Sequence, residues 1–198
     1  MAKVYIPKRS IKVMGTVYYP DGGKTGREVN AIYPTATCIY NAGLYSTSNH
    51  ESITKMKVDG KMIGYWGAWE GYGMLDSKDL IWCSYDDAKN NSRITSWIAG
   101  SPVLLKDSRI ELNWGDLYSE YVNGDHDRCI MCDNNSNLMI LSISDLINPK
   151  EEAERIKKYM YAINGINLDG GSSIEIWFKG KRLCGTDRKN ATWIVIYS

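Results

Sequence analysis

Apolar positions along this chain come in short runs, many alternating with polar residues. Turn residues cut the runs off before a helical period establishes itself. The pattern predicts strands over Ser10–Tyr19, Ala36–Tyr40, Leu80–Ser84, Val103–Lys106, Cys129–Asp133, Leu138–Ile143, Ile174–Phe178 and Thr192–Tyr197. Explicit turns stand between them: Asp21-Gly22-Gly23, Asp59-Gly60-Lys61, Asp133-Asn134-Asn135-Ser136 and Lys179-Gly180-Lys181. One helix is clear. Asn148 caps it, Pro149 suits its first position, and Glu151 stands three residues after the cap as in a capping box. Ala153, Ile156, Met160 and Ile163 then recur every three or four residues as one buried stripe. A weaker helix is expected from about Asp116 to Val122. With no linker, low-complexity run or repeat, the expectation is an α+β fold. Residues 1–198 form a single strand-rich domain with twisted mixed β-sheets and a few helices.

Composition narrows the partners. The 24 basic and 23 acidic side chains leave a net charge of +1, so no basic stripe awaits a nucleic-acid polymer. No run approaches the ~18 apolar residues of a membrane span, and Met1–Arg9 lacks the apolar core of a secretory signal. Five cysteines, an odd number, add to the expectation of a reducing cytoplasm, the host's if the chain is phage-encoded. Cys129-Ile130-Met131-Cys132 has zinc-knuckle spacing, but no second pair completes four ligands, and in a strand the two thiols face opposite sides. They read as core thiols, and no metal or cofactor is assigned. The unusual feature is aromatic: 14 Tyr and 7 Trp against a single Phe, Phe178. Tyr and Trp join a flat apolar plate to a polar atom, which suits stacking on sugars and bases, although a compositional habit of the source would look the same.

The stretch richest in chemistry is Gly165-Ile166-Asn167-Leu168-Asp169-Gly170-Gly171-Ser172-Ser173, between the clear helix and a strand. Two glycines after an acid let the backbone turn tightly and expose amides, Ser172 and Ser173 add hydroxyls, and Asp169 is placed as an acid, base or nucleophile. The plain alternative is a turn that only reverses the chain. Upstream, a strand over Cys38–Tyr40 runs into Asn41-Ala42-Gly43-Leu44-Tyr45, an apolar strand is broken by Gly100-Ser101-Pro102, and Asp125-His126-Asp127-Arg128 sets an arginine at a strand entry. Gly64–Gly73 is glycine-rich and aromatic: either a ligand-stacking loop through Trp66 and Trp69, with Glu70 a second acid, or a packed surface loop.

An asparagine turn, a Gly-x-Pro-x-Leu strand, an arginine before a strand and Asn-Leu-Asp-Gly-Gly-Ser-Ser, in that order, resemble the phosphodiester glycosidase family over roughly residues 36–197. The chain departs from that pattern at Ala42, Leu44 and Tyr45 in the first turn. It keeps only Arg128 of a Pro-Arg-Thr strand entry and two of three glycines after Asp169, with no clean acid-glycine pair near Ser142–Asp145. The resemblance implies cleavage of the bond between a sugar's anomeric carbon and phosphate, in a sugar-1-phosphodiester or nucleotide-sugar. Asp169 would be the carboxylate facing the oxocarbenium ion. Arg128 and the Gly170 and Gly171 amides would hold phosphate, with His126 within reach. Asn41 and Asn167 would fix sugar hydroxyls or phosphate, and Gly100 and Tyr45 complete the expected ligand-binding set. The rival reading is a non-catalytic protein that sequesters a phosphorylated sugar or a (cyclic) nucleotide signal, as a phage anti-defence sponge would. A third is a structural component of a virion or cell-wall assembly.

Overall fold

A computed structural model of the protein describes residues 2–115 and 124–198; the helix expected near 116–122 lies outside the described residues. Three sheets carry the fold. The first contains β1 (Ala2–Pro7), β9 (Val103–Lys106), β10 (Arg109–Asn113), β11 (His126–Asp133), β12 (Asn137–Ile147) and β13 (Asn164–Asn167), in the order β1-β12-β11-β13-β9-β10. The second contains β2 (Val13–Tyr18), β3 (Cys38–Asn41), β14 (Glu175–Phe178), β15 (Lys181–Gly185) and β16 (Thr192–Tyr197), in the order β15-β14-β3-β16-β2. The third contains β4 (Met56–Val58), β5 (Lys61–Ile63), β6 (Glu70–Leu75), β7 (Leu80–Ser84) and β8 (Ile94–Ala99), in the order β5-β4-β8-β6-β7.

Among the described residues, neighbouring strands of the three sheets pair antiparallel, where mixed directions were expected, and Thr54 and Trp66 form an isolated parallel bridge outside them. Parallel neighbours need a long crossover, and most connections here are tight turns. The helix α3 (Pro149–Met160) does make a crossover, but it carries the chain from β12 over β11 to β13, so the two parallel strands stay one strand apart. Asn148 caps α3, its side chain accepting from Lys150 N at 3.1 Å and Glu151 N at 3.0 Å. The helix stops at Tyr161, which is left-handed at φ 52°, so Ile163 falls beyond the helix and outside the stripe. Two short helices escaped the periodicity reading: α1 (Gly26–Ile32) and α2 (Tyr85–Asn90), each opened by a full capping box, Thr25 with Glu28 and Ser84 with Asp87.

The strand over Ser10–Tyr19 is shortened to β2 because residues 8–10 form a 3-10 turn. β7, β9 and β16 keep the expected bounds. One apolar cluster draws on all three sheets, through Val4, Met14, Tyr40, Met56, Tyr72, Met131 and Ile194 among others. A second lies between the outer face of the first sheet and α3. β11 divides its residues between the two: Cys129 and Met131 enter the first cluster, Ile130 and Cys132 the second, as strand alternation requires. All five cysteines are free thiols. Much of the aromatic excess serves the interior. Trp97, Trp193, Tyr40 and Tyr72 are among the largest fully buried side chains, and the Tyr72 hydroxyl donates to Asp133 Oδ1 at 2.7 Å.

Candidate functional site

The site forms where the first sheet meets the second. Ile130 on β11 faces Asn167 on β13, and one step on, Leu168 N donates to Cys129 O at 2.8 Å. Arg128 and Asp169 follow next on the two segments, and both line the same cleft. There the chain crosses to β3. Asp169 N donates to Ala42 O at 2.9 Å, and Asn41 Nδ2 donates to Asp169 O at 2.7 Å. Asn41 Oδ1 accepts from Glu175 N at 2.9 Å, so this buried side chain stitches backbone segments at both ends. The expected role for Asn41, binding ligand, gives way in this geometry to holding Asp169 in place.

Leu44, His126, Asp127, Arg128, Asn167, Leu168, Asp169, Gly170 and Gly171 line a small, partly open cleft. At its floor, burial pushes the Asp169 carboxyl up to about 6, against the opposing pull of the Ser173 hydroxyl, the Arg188 charge and the Gly170 amide. The Gly170 amide therefore turns onto the acid of its own chain. Asn167 donates from Nδ2 to Ser101 O at 2.7 Å, while its buried Oδ1 has no hydrogen-bond partner among the described residues. An acceptor so placed suits a ligand hydroxyl.

The two glycines answer different demands. A Cβ on Gly170 would collide with the backbone carbonyl of Asp127, whereas Gly171 sits at φ +58° with open space before it. Ser173 is buried beneath Asp169, and the Ser172 hydroxyl accepts from Arg188 Nη1. Tyr45 is also buried; its hydroxyl donates to Lys189 O at 2.8 Å. Its ring stacks on His50 at 5.8 Å, and the Arg188 guanidinium lies 6.0 Å from its centroid. It is a support for Arg188 rather than an open stacking plate.

Arg128 is almost wholly buried. Its Nε donates to Ile147 O at 3.0 Å and lies 3.9 Å from Glu152 Oε2, and its Nη2 donates to Gly124 O.

Ser172, Ser173 and Tyr45 are not among the residues lining this cleft, and neither are Gly100, Trp66, Trp69 and Glu70. Gly100 follows β8, its carbonyl accepting from Ala68 N at 2.9 Å. Trp66 is exposed, its backbone tied to Ile53 and Lys55. Trp69 is exposed too, with Lys55 Nζ 3.5 Å from its ring centroid, and Glu70 pairs with Lys106 at 2.5 Å. Their alternative reading, a packed surface loop, fits this placement. Sequence reasoning missed Arg188, Asp127, Leu44 and Glu152. Arg188 arrives through the β14–β15 hairpin and the loop after it, and nothing in the Thr186–Lys189 segment marks it as a partner of Asp169.

No curated protein matches the chain. Several solved structures share its fold. The catalytic domain of zebrafish N-acetylglucosamine-1-phosphodiester alpha-N-acetylglucosaminidase, auto-inhibited by its pro-peptide, matches at a TM-score of 0.74 and 16% identity, over 100% of this chain and 83% of that one. A hypothetical protein from Synechocystis matches at 0.69 and 14%, over 98% of this chain and 58% of the other. A putative exported protein from Burkholderia pseudomallei matches at 0.65 and 9%, covering 99% and 73%. The phosphodiester glycosidase family model matches residues 34–197, which include β3, Arg128, Asp169 and Arg188, and the chain belongs to that family.

Proposed function

We propose that this protein hydrolyses a glycosyl phosphodiester, a sugar-1-phosphodiester or nucleotide-sugar, at the bond between the anomeric carbon and the phosphate oxygen. One observation carries the reading. One cleft is lined by both Asp169 and the buried Arg128, and the Arg188 charge acts on the Asp169 carboxyl. The anomeric carbon–oxygen bond breaks with both electrons going to the phosphate oxygen. The Asp169 carboxylate stabilises the oxocarbenium ion left behind. Arg128 and Arg188 bind the phosphate, which is a good enough leaving group to depart without a second carboxylic acid. Water adds its oxygen to the anomeric carbon and gives its proton to Asp169, which returns it to solvent. The products are a reducing sugar and a phosphate monoester, or a nucleoside diphosphate where the substrate is a nucleotide-sugar. Asn167 Oδ1 accepts from a sugar hydroxyl.

The test is incubation with a panel of glycosyl phosphodiesters and nucleotide-sugars, with mass spectrometry of ligand and products. Reducing sugar and phosphate monoester that disappear in Asp169→Asn support the reading. Ligand recovered intact from the protein after long incubation replaces hydrolysis with capture. A panel neither split nor bound overturns both.

A further inference from the structure

Behind the cleft, Glu152 stands in the first turn of α3, wholly buried, and among the described residues neither carboxyl oxygen has a hydrogen-bond partner. The charge beside it is Arg128, whose Nε lies 3.9 Å from Oε2 while it donates to Ile147 O, the carbonyl just before the α3 cap. A buried carboxyl without hydrogen bonds is costly, and an apolar side chain of the same size would serve the core better. Its placement makes sense through what it does to the arginine.

We infer that Glu152 is a positioning residue of the site. From behind the guanidinium it fixes the direction of Arg128 and sets the net charge that Arg128 presents to an anion in the cleft. The inference rests on the reading of Arg128 as a phosphate-holding residue.

Glu152 has two states with different consequences. Ionised, it neutralises Arg128; protonated, it leaves the arginine its full charge. Burial pushes this carboxyl up to about 8, with Arg128 pulling the other way. Anion affinity therefore falls as pH rises through about 8. Of the other groups near Glu152, the Cys129 and Cys132 thiols of β11 are pushed far up by burial and stay protonated through that range. β9 and β10 bring only Leu104, Leu105 and Leu112 to the buried layer under α3. His126, Asp127 and Asp169 line the cleft side of Arg128, and Arg188 acts on Asp169 from beyond it.

The probe is dimethyl phosphate, which keeps one negative charge from acid to strong base, so its own titration adds nothing. Calorimetry on the wild type should show affinity falling about tenfold between about pH 7 and 9.5, the scale expected when a charge a few ångströms from the binding arginine appears. Glu152→Gln should hold the low-pH affinity across that range, and His126→Gln should keep the wild-type fall. A flat wild-type profile, a fall that survives in Glu152→Gln, or one that vanishes in His126→Gln overturns the inference. Because the wild type is itself an arm, the test stands even if Glu152→Gln misfolds. Arg128→Lys and Arg128→Gln separate the two readings. If both bind like wild type at pH 7, Arg128 holds no phosphate and the site reading fails. If they lose binding while Glu152→Gln still tracks the wild type, only the positioning inference fails.

Discussion

Gly170 and Gly171 are adjacent, yet the structure gives them opposite sensitivities. Gly170 has φ −108°, a conformation that alanine adopts without strain, so Gly170→Ala acts purely by steric contact. The added methyl points at the Asp127 carbonyl, and that atom is backbone, with no side chain to swing away. Restoring a normal carbon–oxygen separation requires a relative shift of about 1 Å. Such a shift moves the Gly170 amide off the Asp169 carboxyl and displaces Asp169 within the cleft, and misplacement of that size costs on the order of 10²-fold in rate. Gly171→Ala meets open space but must hold φ +58°, which costs roughly 1–2 kcal/mol for a side-chain-bearing residue. The expected pair is therefore a Gly170→Ala variant with kcat/KM on glycosyl phosphodiester down about a hundredfold, and a Gly171→Ala variant less stable by roughly 1–2 kcal/mol that keeps most of its activity. Urea unfolding and steady-state kinetics on both variants read the two quantities. If Gly171→Ala loses more activity than Gly170→Ala, the account of this turn is wrong.

Three further outcomes follow from the same geometry. Asp169 binds protons more tightly folded than unfolded, its carboxyl raised from 3.8 to about 6, so stability is lost as pH rises through that window and stays lost above it. Asp169→Asn should abolish turnover and also be more stable than wild type at pH 7.5, by up to about 3 kcal/mol; denaturant midpoints that place it below wild type there would sink the reading. Arg188→Gln removes a charge that favours ionised Asp169, so the acid limb of the pH–rate profile should move to higher pH, with KM raised about tenfold for the loss of one exposed phosphate contact. An unmoved acid limb counts against Arg188 acting at the site. Ser84→Ala removes half of the α2 capping box and should cost about 1 kcal/mol in thermal or urea unfolding without changing kinetics.

The elements whose rules are local were legible in the chain. Asn148, Pro149 and the stripe from Ala153 specify α3, because capping and a 3.6-residue period need only a few neighbours. The bounds of β7, β9 and β16 are set by turn residues immediately beside them. The Asn167–Ser173 segment announced its chemistry for the same reason: acid, glycines and hydroxyls are consecutive. The short helices α1 and α2 span fewer than three turns, too few for a stripe to show, and their capping boxes were the readable trace.

What the tertiary structure decided is which distant residues meet. Trp66, Trp69 and Glu70 have the right chemistry for a ligand, but the fold ties them through backbone bonds, a cation–π contact and an ion pair to Ile53, Lys55 and Lys106 instead. Asn41 looked like a ligand residue and became a backbone clamp, because the crossing at Asp169 leaves polar backbone groups that need partners. Arg188 and Glu152 carry no signal of their own; one is brought to Asp169 by a hairpin, the other to Arg128 by the crossover of α3. The sequence by itself determined the segments and the reactive turn, since those depend on near neighbours. The cleft with Arg128 in its lining, the Arg188 charge acting on Asp169 and the buried acid behind Arg128 exist only once the sheets have packed, because each depends on contacts between residues distant along the chain.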